Sequence, residues 1–99
     1  MMDSQRAIAL IRSDTDLLKE YQVRSLRLFG SVVRGEAGPK SDIDILVEFD
    51  PGARVGLFHF ARLQRRLSNL LGRPVDLVTP DALHEALKER ILREAIHAA

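Results

Sequence analysis

The sequence predicts one mixed α/β (α+β) domain over residues 1–99, in which helices pack on a small sheet of three strands. Its composition, 45% hydrophobic and 29% charged, is that of a globular chain with enough apolar residues for one core. Apolar residues alternate along residues 42–49, which is typical of a strand with one buried face. A strongly amphipathic segment, residues 57–71, separates that strand from another apolar strand at 74–78. This order is typical of a right-handed parallel crossover.

The first half of the chain is predicted to form a helix, a strand and a short helix. Residues 4–20 form the helix, because six apolar residues recur there at helical spacing: Ala7, Ile8, Leu10, Ile11, Leu17 and Leu18. Residues 23–29 form the strand, and Gly30 ends it. The next residues, 31–35, have room for only one or two helical turns before a loop that contains Gly and Pro.

In the second half, the strand at residues 42–49 has two different faces. On one face lie Ile43, Ile45, Val47 and Phe49, and on the other lie Asp42, Asp44, Leu46 and Glu48. Its short connection to the first strand predicts that these two strands are antiparallel. Residues 57–71 form a helix that Gly72 terminates. A last helix is predicted to begin at Thr79, with a hydroxyl cap and Pro in its first turn, and to run to about His97.

The composition excludes several classes of protein. Without cysteine, the chain has no disulfide framework, no thiolate metal site and no cysteine nucleophile. A net charge of +1 provides no single-sign field for non-specific capture of nucleic acid. No apolar run is long enough for a signal peptide or a membrane span, so a cytoplasmic location is expected. Arg62, Arg65 and Arg66 of the long helix are interpreted as a solvated face, with an acidic partner as the alternative.

The polar face of the second strand carries a pair of candidate metal ligands. Asp42 and Asp44 are two positions apart, so their carboxylates point to the same side of the strand. Like charges held side by side repel, and a hard divalent cation such as Mg²⁺ or Mn²⁺ relieves the repulsion by accepting oxygen ligands. The alternative is a solvated sheet face that binds no ion.

Two further features point to the same place. Gly30 permits close approach of the backbone to a ligand, and Ser31 begins a short helix whose free N–H groups suit an anion; the alternative is a simple turn. If the first two strands are antiparallel, this turn lies beside Asp42 and Asp44. Asp76 stands in an apolar strand, where a carboxylate is costly unless it is paired or bound to an ion; the alternative is an edge strand or a satisfied hydrogen bond. Parallel pairing of the second and third strands can bring all three carboxylates together.

These residues carry a family resemblance. Gly30-Ser31, ten further residues and Asp42-Ile43-Asp44 resemble the GS-x10-DxD signature of the DNA polymerase β-like nucleotidyltransferase superfamily. The longer run GSVVRGEAGPKSDIDILVEF resembles the minimal nucleotidyltransferases of prokaryotes, the MntA-like antitoxins that are paired with HEPN-domain toxins. The likeness extends over almost the whole chain. One departure is Val33, because many members carry a small residue there.

The resemblance implies an Mg²⁺-dependent enzyme that transfers AMP from ATP to a hydroxyl and releases pyrophosphate. By motif position, Asp42 and Asp44 are expected to bind metal. Asp76 is expected to share one of two Mg²⁺ ions and to assist deprotonation of the attacking hydroxyl, and Gly30 and Ser31 to hold the β- and γ-phosphates. The implied acceptor is a tyrosine of a HEPN ribonuclease toxin, which AMPylation silences, and a hetero-oligomer with that toxin is compatible with this role.

Arg34 and Ser41 complete the predicted nucleotide site, each with an open alternative. Arg34 can bind a phosphate bidentately, or it can pair with Glu36 or Asp42. Ser41 can bind a phosphate oxygen through its hydroxyl, or it can simply begin the second strand. The alternative function is a non-catalytic module that binds nucleotide and neutralises the toxin by direct contact.

Overall fold

Four strands form one mixed sheet in the computed structural model, which describes residues 2–36, 38 and 41–99. The strands are β1 (Val23–Phe29), β2 (Ile43–Phe49), β3 (Val75–Val78) and β4 (Ile96–His97), and their order across the sheet is β3-β2-β1-β4. β1 runs antiparallel to both β2 and β4, and β2 runs parallel to β3. The mixed character of the sheet and the predicted directions of its first three strands are confirmed.

The described part of the chain forms five α-helices. They are α1 (Ser4–Ser13), α2 (Leu17–Glu20), α3 (Ser31–Arg34), α4 (Leu57–Leu71) and α5 (Glu85–Glu94). The connection from β2 through α4 to β3 is the predicted parallel crossover. α4 has the predicted bounds, and Gly72 terminates it in the left-handed conformation (φ 67°), with its N–H donating to the Ser68 carbonyl.

The sequence predicts three strands, whereas the sheet contains a fourth, β4, near the end of the chain. The sequence predicts a helix to His97, whereas α5 ends at Glu94 and Ala95 is already extended (φ −66°, ψ 143°). β4 then pairs with Arg27 and Leu28 of β1. The outer edge of β1 would otherwise present unpaired N–H and C=O groups, and this pairing satisfies part of them. Apolar spacing cannot reveal such a partner, because the pairing depends on backbone groups far away in the sequence.

Two predicted helices are also interrupted. The helix predicted over residues 4–20 divides into α1 and α2 around Asp14, whose carboxylate accepts hydrogen bonds from Arg66 Nε at 2.9 Å and Nη2 at 2.7 Å. This ion pair with α4 holds the chain between the two helices, and it leaves no trace in the apolar periodicity. The last helix does not begin at Thr79, because a single 3-10 turn, Pro80–Ala82, comes before α5.

The main core lies on the sheet face that α1 and α4 cover. Its most completely buried side chains are Ala7, Leu17, Leu26, Leu28, Ile43, Ile45, Val47, Leu63 and Leu67. Leu46 points to the opposite face and is buried too, so the polar face predicted for β2 is not solvated throughout. Within the described residues, every helix is too short or too polar to cross a bilayer.

Candidate active site

The parallel register of β2 and β3 places Asp44 directly beside Asp76. Paired residues on neighbouring strands project from the same face of the sheet, and the strands are about 4.8 Å apart. Asp42 stands one residue before β2 and is exposed at the same end of the strand. The structure therefore brings Asp44 and Asp76 together, and Asp42 adds its charge from the adjoining position.

Asp44 has an unusual protonation equilibrium. Burial, and next the negative charges of Asp76 and Asp42, raise the pKa of the Asp44 carboxyl to about 6. A hydrogen bond with Asp76 also favours the protonated form, whereas the positive charge of Arg34 opposes the shift. A bound cation relieves the same repulsion that a proton relieves at lower pH. Near neutral pH the carboxylates are therefore suited to bind a cation.

Asp76 is exposed, so the expectation of a buried and costly carboxylate is wrong, and the alternative of an acid on an edge strand is the one observed. Val75 and Leu77 are indeed buried. β3 is an edge strand, however, and its side chains alternate, so Asp76 projects away from the core into solvent. An exposed carboxylate costs little there, and Asp44 is the acid whose pKa burial raises.

Gly30 lies against the Asp44 carboxylate. It follows Phe29, which pairs with Asp44 across the sheet. Its backbone has φ 75° and ψ −149°, a conformation that only glycine adopts readily. A Cβ at this position would overlap Asp44 Oδ2 and would lie 3.1 Å from Asp44 Cγ. The turn that begins α3 is therefore in contact with the carboxylate and has no space for a side chain at its first residue.

Ser31 follows this glycine and is half-buried at the start of α3. α3 has four residues, so its macrodipole contributes little to anion binding. An anion held here depends instead on the backbone N–H groups of the turn and on the Ser31 hydroxyl. The phosphate contacts of Gly30 and Ser31 stay a prediction, which their position next to Asp44 supports.

Arg34 is engaged by two acids. Its Nε lies 3.2 Å from Glu36 Oε2, and its Nη1 lies 2.7 Å from Glu94 Oε1. Sequence reasoning left the pair with Glu36 open, but it missed Glu94, which lies at the end of α5 and is 60 residues away. The positive charge of Arg34 partly opposes the rise in the pKa of Asp44, so its guanidinium is close to the candidate site.

Arg73 is a second residue of this region that sequence reasoning missed. Its Nη2 donates to the carbonyls of Gly38 and Ser41, both at 2.6 Å. The Ser41 hydroxyl accepts from the Gly38 N–H at 3.0 Å, so its immediate partner is the loop rather than the solvent. Arg73 thereby holds the backbone directly before Asp42. Its position after Gly72, between a helix end and a strand start, is the only signal that the sequence offers for this role.

The donor set fits a hard divalent cation. Its groups are carboxylate oxygens, which Mg²⁺ prefers, and their mutual repulsion raises the pKa of Asp44. Among residues 2–36, 38 and 41–99, no three acidic or histidine side chains already stand together as a ligand set. Asp44 and Asp76 share one position in the sheet register, and the exposed Asp42 side chain stands one residue before β2.

Known proteins are similar to this chain in both sequence and fold. A model of the nucleotidyltransferase domain matches residues 11–97. Protein adenylyltransferase MntA of Thermococcus cleftensis is 40% identical over 82 residues, which are 83% of this chain and 81% of the relative. A solved structure described as a minimal nucleotidyltransferase has a TM-score of 0.79 at 41% identity, and the match covers 96% of this chain and 95% of that chain.

A more distant structure shares the fold. It is a chain of the Shewanella oneidensis complex between a tri-AMPylated HEPN toxin and an MNT antitoxin, with a TM-score of 0.65 and 20% identity. The match covers 94% of this chain and 71% of that chain. The family match includes the turn at Gly30 and the strands of Asp44 and Asp76. The resemblance seen in the sequence is thus confirmed, and the chain belongs to the nucleotidyltransferase domain family.

Proposed function

We propose that this chain is an antitoxin that transfers AMP from Mg²⁺–ATP to a hydroxyl of a partner protein, a tyrosine of a HEPN ribonuclease toxin. The observation that carries the proposal is the pairing of Asp44 with Asp76, with the Gly30 turn packed against Asp44. Nucleotidyl transfer needs carboxylates at the metal and a backbone turn at the phosphates. Both stand at one end of this sheet.

The residues divide the chemistry between them. Asp42 and Asp44 would hold Mg²⁺, with Asp76 as the third carboxylate. When bound, Mg²⁺ neutralises the triphosphate charge and lowers the pKa of the acceptor hydroxyl. Asp76, exposed at the edge strand, accepts the hydroxyl proton as the oxygen attacks the α-phosphorus and pyrophosphate leaves. Gly30 and Ser31 hold the β- and γ-phosphates through backbone N–H groups and the hydroxyl.

Arg34 and Ser41 belong to the same proposal in different ways. Arg34 exchanges Glu94, which its Nη1 contacts at 2.7 Å, for a phosphate oxygen, since a guanidinium binds carboxylates and phosphates alike. Ser41 contributes mainly by shaping the loop before Asp42, because its hydroxyl and its carbonyl already accept hydrogen bonds.

The names of the similar proteins support the reaction and the class of partner. The Thermococcus relative carries the name of a protein adenylyltransferase. The Shewanella complex, whose antitoxin shares the fold, contains an AMPylated HEPN toxin. A phosphodiester-linked AMP would add bulk and negative charge near a ribonuclease site and thereby block RNA binding.

The test incubates the purified chain with α-labelled ATP, Mg²⁺ and the protein encoded by the adjacent gene, which we expect to contain a HEPN domain. We expect label on that protein, loss of the label when tyrosine is changed to phenylalanine, and loss of its ribonuclease activity in proportion to labelling. Asp44→Asn is the matched inactive variant. A toxin that is inhibited equally by the wild type and by Asp44→Asn, without label, would instead support neutralisation by contact alone.

A further inference from the structure

The part of the chain that comprises α4 and the loops on either side of it is rich in arginine and free of acidic residues. Residues 51–75 contain no Asp or Glu, although the whole chain has 14 of them and a net charge of only +1. The same segment contains five arginines, namely Arg54, Arg62, Arg65, Arg66 and Arg73. Charge of one sign gathered in this way attracts an oppositely charged partner, either inside the molecule or outside it.

Two of these arginines have partners inside the molecule. Arg66 pairs with Asp14 and Glu20, and its guanidinium carbon lies 5.6 Å from the centroid of the Tyr21 ring. Arg73 donates to two backbone carbonyls before β2. The interpretation of the helix arginines as a solvated face is therefore wrong for Arg66, which joins α4 to the N-terminal helices.

The other three arginines, Arg54, Arg62 and Arg65, are exposed. None of them forms a salt bridge with any residue that the structure describes. Arg62 and Arg65 follow Phe58 by four and seven positions, so the three side chains share the outer face of α4. An outer face of this composition has cations that nothing in its own helix neutralises.

Large apolar side chains adjoin these arginines. Leu57 and Phe58, in the first turn of α4, are 80% and 79% exposed. Beside them lies a groove of about 410 Å³, lined by Phe49, Val55, Gly56, Leu57, Phe60 and Thr79. Single exposed apolar residues are common on protein surfaces, whereas two adjacent ones next to an apolar groove mark a place of contact with another molecule.

We propose that Leu57, Phe58, Arg62 and Arg65, hereafter the α4 surface, dock onto an acidic protein surface that contains an apolar recess. The inference rests on the proposed function, because the partner is the protein that receives AMP. Charge complementarity selects it: carboxylates on the partner pair with guanidinium groups that have no competing acid on α4. Leu57 and Phe58 supply the apolar anchor at the centre of such an interface.

A protein fits this surface better than a nucleic acid does. Of the α4 surface, Phe58 alone has a ring on which a base can stack, and binding to a nucleic acid backbone depends on many phosphate contacts. The two cations of the α4 surface, with Arg54 in the preceding loop, are few for that purpose. They are sufficient, however, to orient an acidic partner around an apolar contact.

The α4 surface lies away from the candidate active site. α4 packs on the sheet face opposite to Asp44, and its first turn adjoins the end of β2, where the His59 and Phe49 ring centroids are 5.9 Å apart. A partner bound there leaves the carboxylates open. Because the molecule extends only 35 × 32 × 19 Å, a partner of similar size or larger can contact the α4 surface and reach Asp76 with another of its parts.

The test measures the binding of three double variants to the protein encoded by the adjacent gene, by titration calorimetry at low and high salt. Leu57→Ser/Phe58→Ser and Arg62→Glu/Arg65→Glu alter the α4 surface. Leu87→Ser/Arg90→Glu is the matched control, because it changes an exposed leucine and an exposed arginine on α5. We expect each α4 variant to weaken binding at least about tenfold and the control to bind as the wild type. The arginine variant should lose more affinity at low salt than at high salt.

Several outcomes would overturn the proposal. They are no complex with the wild type, unchanged affinity of both α4 variants, and equal weakening by the control. Loss of RNA binding with unchanged protein binding would assign the surface to a nucleic acid, and a wild-type dimer that the variants dissociate would assign it to a second copy. Thermal unfolding verifies each fold, and the single variant Phe58→Ser replaces any double variant that unfolds. If the wild type binds through α4 without transferring AMP, the proposed function fails and the docking surface stands.

Discussion

Gly30 packs so closely on Asp44 that any side chain at position 30 would overlap the Asp44 carboxylate. The antiparallel register of β1 and β2 creates this contact, because it sets Phe29 opposite Asp44 and leaves Gly30 at the point where the chain turns into α3. Position 30 must therefore satisfy two conditions, a positive φ and the absence of a Cβ. The position of the Asp44 carboxylate thus depends on the absence of a Cβ at Gly30.

Replacing this glycine should disturb both stability and nucleotide binding. For Gly30→Ala we expect a loss of at least about 1 kcal/mol in the free energy of unfolding from the backbone conformation alone. Displacement of Asp44 should in addition abolish Mg²⁺–ATP binding. Gly35→Ala is the matched control, since Gly35 also has a positive φ (74°), but no atom of residues 2–36, 38 and 41–99 lies within 4 Å of the point that its Cβ would occupy. Urea unfolding and calorimetric titration measure the two effects, and equal ATP binding by both variants would contradict the role of Gly30.

The raised pKa of Asp44 predicts how metal-free stability depends on pH. Because the folded-state pKa is about 6 and the ordinary value is 3.8, the folded protein binds the proton more tightly than the unfolded chain does. Stability without metal should therefore fall as pH rises through this interval. Asp44→Asn should remove the fall, and Mg²⁺ should reverse it for the wild type, since the cation replaces the proton.

The stability contributed by Asp14 should depend on pH in the opposite direction. Hydrogen bonds from Arg66 lower the pKa of Asp14, so its contribution to stability is present above the ordinary pKa and is lost as the solution becomes more acidic. Urea unfolding in EDTA between pH 3 and pH 8 should therefore show Asp14→Asn as less stable than the wild type at neutral pH, with the difference vanishing in acid. A wild type whose stability rises steadily from pH 4 to pH 6 just as Asp44→Asn does would contradict the Asp44 prediction.

The parts of the fold that local patterns encode were predictable from the sequence. Alternation gives β1 and β2, and the apolar stripe with Gly72 gives α4 with its bounds. The crossover rule gives the parallel pairing, and from that pairing follows the meeting of Asp44 with Asp76. Such features depend on residues close in sequence or on handedness that all L-amino-acid chains share.

The remaining features depend on partners that are distant in the sequence. β4 pairs with the outer edge of β1. Arg66 of α4 donates to Asp14 at the break between α1 and α2. The exposure of Asp76 follows from the place of β3 at the edge of the sheet, which the order of elements does not specify. Arg73 was missed for the same reason, since its acceptors are backbone carbonyls and carry no residue signature.

Arg73 should act by positioning the loop before Asp42. Arg73→Ala removes the donor to the Gly38 and Ser41 carbonyls, and hydrogen bonds from a charged donor contribute about 1.5–3 kcal/mol. We expect lower stability and weaker binding of Mn²⁺, measured by paramagnetic resonance without nucleotide. Arg73→Lys should recover part of both, because an ammonium group can still donate to one carbonyl. Arg65→Ala, which alters an exposed arginine, is the control, and unchanged Mn²⁺ affinity of Arg73→Ala would refute the positioning role.

Glu94 should compete with ATP for Arg34. Arg34 Nη1 and Glu94 Oε1 are 2.7 Å apart and both side chains reach solvent, so the two residues form a surface ion pair of modest strength. Glu94→Gln should raise the affinity for Mg²⁺–ATP by about two- to fivefold if Arg34 binds phosphate. Glu89→Gln breaks another ion pair of α5, the 3.9 Å pair with Arg93, and should leave ATP affinity unchanged. Equal affinities of the wild type and Glu94→Gln would return Arg34 to a purely structural role.

Asp76 should separate nucleotide binding from AMP transfer. It enters the site from a different strand than Asp44, and it is exposed at the edge where an acceptor hydroxyl can approach. Asp76→Asn should therefore keep most of the Mg²⁺–ATP affinity, whereas single-turnover AMP transfer should fall by about 10²-fold or more, the scale for losing a general base. Asp44→Asn should lose both together, because its carboxylate is the one proposed to hold the metal. Asp81→Asn, an exposed acid in the turn after β3, is the control. Transfer by Asp76→Asn at the rate of the Asp81→Asn control would leave Asp76 as an edge-strand acid with no part in the chemistry.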